Sequence, residues 1–310
     1  MRIAQRTILA AIVLAGIGLG SAPSLFAQDQ QDQGDDQYLL PEQSAAKAKK
    51  LIDQAVDALG GTAYLNLHDA TCTGRIGTFD HGGQLTGFGH FIDYSVPPFK
   101  ERQENLPKRN IIEVYNGTKG WELDRGGVAD MPASDLADFQ GTVKRDLDNI
   151  LRHRVHEPDM LLRYGGPDVI DGWQADWVEL VDADNQTIRI AFNRVTHLPI
   201  RKTAETRDKR THMKTEEIEY FSNYHPISGI QTAFQLTRER NGIKVFQAFF
   251  DGCQYNTNLA DALFTKESLD QRWAQVGKKE MAKEAKDKKN DDKNKDKDKD
   301  KNSDKDSDEE

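Results

Sequence analysis

Cysteine is nearly missing from this chain: its 310 residues contain two, Cys72 and Cys253. They form no CxxC pair, which excludes dithiol redox catalysis. Both fall in strand-like sequence, and two readings stay open: a disulfide formed in an oxidising compartment, or buried thiols that fill space. Sequence does not say whether their Cβ atoms approach within bonding range.

Long apolar runs are just as scarce. One runs from Ile8 to Leu19, shorter than the ~20 residues that a membrane-spanning helix needs. It follows Arg2 and Arg6 and precedes Ala27, the order of a secretory signal, so residues 1–27 read as a signal peptide. An uncleaved anchor is the alternative. No cysteine follows the run, so a lipid-modified N-terminus is excluded, and the expected location is the periplasm.

Charge of one sign is also lacking. Lys and Arg number 42 against 51 Asp and Glu, a net charge of −9. Phosphate neutralisation needs a basic surface, so no nucleic-acid partner is expected. Gly277 to Glu310 is mostly Lys, Asp, Glu and Asn. This mixed-charge stretch has too little apolar surface to fold and reads as a disordered tail entered through a short helix over Leu269 to Ala285.

Catalytic fingerprints are missing too: there is no Gly-x-Ser-x-Gly turn, no P-loop and no dinucleotide motif. His153 and His156 would give a metal two ligands where zinc normally takes three or four. Imidazoles at a helix end suit the dipole there without any metal. Glu216, Glu217 and Glu219 read as the wet face of a strand. No metal, no cofactor and no catalysis are expected. A triad assembled in space is the enzyme alternative.

What the sequence does contain is alternation. After a flexible leader over residues 28–43, Ser44 caps a helix to Leu59, with Leu51, Ile52, Ala55, Val56 and Leu59 on one face. Gly60-Gly61 ends it. The period then switches to two. Strands are expected over Cys72–Phe79, Gln84–Tyr94, Lys100–Leu106 and Asn110–Tyr115, with Trp121 anchoring a strand end against the core. A second helical region, Asp135 to Val155, carries an apolar stripe through Leu136, Phe139, Val143 and Leu147, with a break at Gly141. Further strands follow near Leu161 and over Trp173–Asp182, Thr187–Asn193, Ile200–Glu205, Glu216–Tyr224, Thr232–Arg240 and Ile243–Gly252. Asn241-Gly242 is a strong hairpin turn.

About ten consecutive strands favour an antiparallel meander, sandwich or barrel over a parallel sheet. A sheet of that size curls, and two helices cover only part of its inner face. Either a second layer of strands fills the rest, or a ligand does. The residues expected to line that space are Ile188, Ile190, Phe192, Val245 and Phe249, with Trp121.

Several motifs in order resemble the LolA/LolB-like outer-membrane lipoprotein-sorting superfamily, which includes RseB-like sensors. They are Ala58–Gly61 (ALGG) leading to Gly74-Arg75, Tyr115–Leu123 (YNGTKGWEL), the hairpin Ile188–Phe192 followed by Leu198-Pro199, and Tyr255–Phe264 (YNTNLADALF). The resemblance implies a mainly β fold over residues 44–268: a curled antiparallel sheet forming an unclosed barrel, covered by a helical lid over an apolar concavity. It implies a cofactor-free carrier of lipids or acylated proteins that works with inner- or outer-membrane transport components. Arg75 stands roughly where such carriers place a lid-holding arginine, although an exposed strand arginine fits its neighbours as well. In the empty protein the lid would rest on the sheet, and ligand would displace it. An envelope sensor or scaffold on the same fold is the second reading, which loss of a partner on deleting Gly277–Glu310 would favour. A hydrolase is the third.

Overall fold

A computed structural model describes residues 39–207 and 213–276. The expected signal peptide, most of the leader and the charged tail lie outside the described residues.

Thirteen strands form one antiparallel sheet in two meanders. The first comprises β1 (Ala70–Phe79), β2 (Leu85–Val96), β3 (Lys100–Leu106), β4 (Ile112–Asn116), β5 (Lys119–Asp124) and β6 (Gly127–Asp130). The second comprises β7 (Leu161–Ile170), β8 (Trp173–Val181), β9 (Thr187–Asn193), β10 (Pro199–Arg207), β11 (Lys214–Ile227), β12 (Ile230–Arg240) and β13 (Ile243–Tyr255). β1 pairs with β13, which joins the meanders, while β6 and β7 are left as the two free edges. The sheet is therefore not closed, in agreement with the expected fold class.

The helices occupy both ends of the described residues and the crossover. α1 (Pro41–Leu59) and the single turn α2 (Thr62–Leu65) precede β1, and α3 (Ala133–Arg145) and α4 (Leu147–Arg152) carry the chain from edge β6 to edge β7. α5 (Lys266–Val276) follows the last strand. α1 begins three residues before the expected cap. Leu40 N–H donates to Gln43 Oε1, while Ser44 Oγ instead accepts from Tyr164 N–H on edge strand β7. The crossover breaks at Asp146, not at Gly141: Asp146 is extended and its carboxylate accepts from Asn149 N–H at 2.9 Å, starting α4.

Because side chains alternate between the two faces of a strand, the register assigns each residue a face. Val178, Leu180, Ile188, Ile190, Phe192 and Ala204 share the inner face. There they pack against Ala48, Ile52, Ala55 and Leu59 of α1 and Leu147, Ile150 and Leu151 of α4. A second cluster lies on the reverse face, where Phe264 and Leu269 cover Ile112, Val114 and Leu123 of β4 and β5. α5 thus belongs to the folded unit, and the fold extends past residue 268.

Candidate ligand-binding interior

The inner face has two unlike halves. Under α1 and α4 it is apolar and filled by the protein itself, with Ile190 and Leu151 fully buried and Phe192 nearly so. Under α3 and the α3–α4 junction it is charged. Lys202 on β10 donates to Glu219 Oε2 on β11 and to the Arg145 carbonyl at the end of α3. Arg238 Nε on β12 donates to Glu219 Oε1 at 2.8 Å. Burial would raise the Glu219 carboxyl, but Lys202 and Arg238 outweigh it and hold that carboxyl below its ordinary range.

Facing this cluster from the first meander, the register places Asp93, Glu101 and Glu113 on the same inner face. Burial pushes Glu101 up to about 7, helped by Asp146 and Glu113 and opposed by Arg238. Asp93 is raised by burial and then by Glu101, and its sealed Oδ1 has no hydrogen-bond partner. Glu113 is raised by burial, then by Glu122 and Asp135. Asp146 is pushed up to about 6 by burial and then by Asp148, yet it keeps more than a third of its surface accessible.

α3 closes that side with a thin contact. Val143 is its one buried residue. Phe139 stacks on Tyr115 at 4.0 Å between ring centroids, tilted by 10°. Leu136 lies over Gly120, where an added Cβ would come within 2.7 Å of it.

The expected interior residues separate into three places. Ile188, Ile190 and Phe192 come together on the inner face, where α1 and α4 cover them. Val245 and Phe249 do not join them. On β13 it is Phe246 and Ala248 whose register follows Arg238 and Leu236 of the inner face, so Phe249, opposite Arg75 and Gln235, points to the reverse side. Val245 lies at the β12–β13 hairpin end beside Phe79 and Asn241. Trp121 joins the reverse-face cluster under α5. Among the expected lid residues, Leu136, Phe139, Val143 and Leu147 do lie on the crossover helices. Arg75 does not reach them: it is half-exposed on the reverse face, with Nε 3.4 Å from Asp251. Cys72 and Cys253 form a disulfide.

Glu217 and Glu219, expected on a wet face, are buried. Their cationic partners Lys202, Arg238 and Arg240 sit on neighbouring strands. The usable signal was the opposite charge on strands expected to be adjacent. Among the described residues, no group of three or more His, Cys, Asp and Glu is placed to hold a metal ion, and no helix is long and apolar enough to cross a membrane.

No protein-family model matches the sequence, and no curated protein matches it. Solved structures do match. A DUF1329 family protein from Desulfovibrio piger aligns over 72% of this chain and 98% of its own, with a TM-score of 0.51 and 17% identity. A LolA superfamily protein from Nitrosomonas europaea aligns over 72% and 99%, with a TM-score of 0.48 and 13% identity. A putative outer membrane lipoprotein-sorting protein domain from Vibrio parahaemolyticus aligns over 73% and 99%, with a TM-score of 0.47 and 10% identity. Structures bearing the superfamily name that the sequence motifs suggested are thus among those similar to this chain. At these identities the likeness is one of fold, and with the DUF1329 structure it extends across nearly the whole length of that protein.

Proposed function

We propose that this protein is a non-enzymatic envelope carrier, exported to the periplasm under the direction of its first 27 residues. It takes up the acyl chains of lipids or acylated proteins between the sheet and its helices. One observation supports this reading above the others. The apolar inner strip of β8 and β9 is covered by helices and not by a second sheet. Helices can withdraw and let an acyl chain replace them, at roughly 0.8 kcal/mol per buried methylene; a second sheet could not withdraw without unfolding. The charged half of the inner face beside the strip then receives the polar end of the guest, so amphiphiles suit the interior better than pure hydrocarbons. The helices form the lid, and the described conformation is its closed state. A hydrophobic fluorescent probe should bind saturably and be displaced by fatty acids. Absence of saturable binding would refute the proposal.

A protein-binding scaffold is the second reading, favoured by edge strand β7. That strand exposes Leu161 and Val169 and pairs on one side only, with β8. An edge of this kind accepts an added strand from a partner where α1, whose Ser44 takes the Tyr164 N–H, leaves it uncovered. In this reading, covering the edge would block partner capture and leave probe binding unchanged.

A further inference from the structure

We infer that the reverse face of the second meander carries a separate binding groove for an uncharged oligosaccharide. The groove is open and about 930 Å³ in volume, at the upper end of the range typical of small-molecule sites. Most of its lining is on the reverse face, and at one end it reaches Ala58 of α1 and Leu198, Phe221 and Tyr224, which belong to the inner-face packing. Glu219 and Arg238 are on the inner side of the sheet, so their strand neighbours Tyr220 and Thr237 are on the reverse side, and these two line the groove. From Gln231 to Glu239 it follows β12 for roughly 26 Å at the usual rise of a strand, long enough for several sugar rings.

The chemistry of the lining selects the ligand class. Trp173, at the β7–β8 turn, is 59% exposed and lies at the margin of the groove. An indole left uncovered in this way offers a flat apolar platform with a polar N–H at its rim. Tyr220 adds a second ring, one face of which lies under the Arg201 guanidinium, 4.9 Å from its centroid. Arg201 Nη2 donates to the Tyr220 hydroxyl at 2.9 Å, and that hydroxyl donates to Glu239 Oε2 at 3.2 Å. The same lining carries the side-chain amides of Asn223, Gln231 and Gln235. Each amide offers both donor and acceptor atoms in one plane. A sugar ring presents an apolar C–H face and an edge of paired hydroxyls, which matches rings that stack and amides that bridge neighbouring hydroxyls. An acyl chain would leave the amides unsatisfied at a cost. A phosphate would find Glu239 and Asp171 against Lys244, with Arg201 already engaged on Tyr220.

The test is calorimetric titration of the mature protein, with its disulfide intact, using tetrasaccharides of β-1,4-linked N-acetylglucosamine, β-1,4-linked glucose and α-1,4-linked glucose. At least one should bind, and Trp173→Ala and Gln235→Ala should each weaken it about tenfold, close to 1.4 kcal/mol. Trp173 is a turn residue, so circular dichroism and the melting temperature of Trp173→Ala should match wild type. Binding of the fluorescent acyl probe should be unchanged in both variants, which separates this groove from the interior. The inference is overturned if none of the three binds at millimolar concentration. It is equally overturned if sugar binding survives both substitutions.

Discussion

Cys72 of β1 and Cys253 of β13 face each other across the one strand pair that joins the two meanders, with Cα atoms 4.1 Å apart. The register slips immediately beside them, between Thr73 and Gly74. A one-residue slip of this pairing would turn the inner side chains of the slipped strand outward. The disulfide fixes the register on one side of the bulge and closes a loop with a sequence separation of 181 residues.

Removing the bond as Cys72→Ala/Cys253→Ala should therefore lower stability by about 2–5 kcal/mol. The fold should remain, because the backbone ladder on both sides of the seam is intact. Urea unfolding followed by far-ultraviolet circular dichroism measures the loss. Unchanged stability would mean that the seam needs no staple.

Asp69 secures the same seam from its end. Its buried carboxylate accepts from Thr257 N–H at 2.7 Å, Thr257 Oγ1 at 3.0 Å, Asn258 N–H at 2.8 Å and Leu259 N–H at 3.3 Å. Burial pushes this carboxyl up, but those bonds outweigh it and hold it below the usual carboxylate range. Asp69→Ala should cost about 2–3 kcal/mol. Because the folded-state pKa is depressed, that contribution is present above the ordinary Asp range and lost as pH falls. The difference between Asp69→Ala and wild type should consequently shrink in acid, which denaturation at two pH values would reveal.

The interior carboxyls act with the opposite sign. Glu101 has an ordinary value of 4.5 and is raised to about 7 in the fold. Its contribution to stability is fully present below about pH 4.5 and lost as pH rises through about 7. Glu101→Gln removes that loss. Comparing urea midpoints at pH 5 and pH 8, the variant should narrow the gap by on the order of 1–3 kcal/mol. An unaltered pH slope would show that Glu101 is solvated in the folded state.

Lys202 is the cation on which the charged half depends. Lys202→Met leaves the Arg145 carbonyl without this donor and Glu219 with Arg238 as its remaining partner. Breaking such a buried pair costs roughly 3–5 kcal/mol. The double variant Lys202→Met/Glu219→Gln should recover much of that loss, since no ionised carboxylate then lacks its partner. Thermal unfolding of the three proteins forms the cycle, and additive losses would contradict the pairing.

Much of this architecture is legible in the chain because alternation survives where one face alone is apolar. β9, with Ile188, Ile190 and Phe192 at every second position, is readable for that reason. β13 is not: Val245, Phe246, Phe249 and Phe250 put apolar residues on both faces, so its pattern does not select an inner side. β7 contains Gly165-Gly166-Pro167 and resembles a loop, yet it runs from Leu161 to Ile170 with a register shift that absorbs Gly165. β5 and β6 are short and bend away from a strong period around Trp121. The charged interior was hidden for another reason. Glu219 resembles a solvated strand residue until Lys202 and Arg238, distant in sequence, are placed beside it by the register.

The central claim is that a guest enters by displacing helices from the inner face. Amide hydrogen exchange of the mature protein, measured with and without a saturating fatty acid, tests it most directly. The account predicts faster exchange in α1 or in α3 and α4 when the guest is bound, with the strands of the sheet unchanged or better protected. Saturated fatty-acid binding that leaves every one of those helices at its unliganded exchange rate would contradict it.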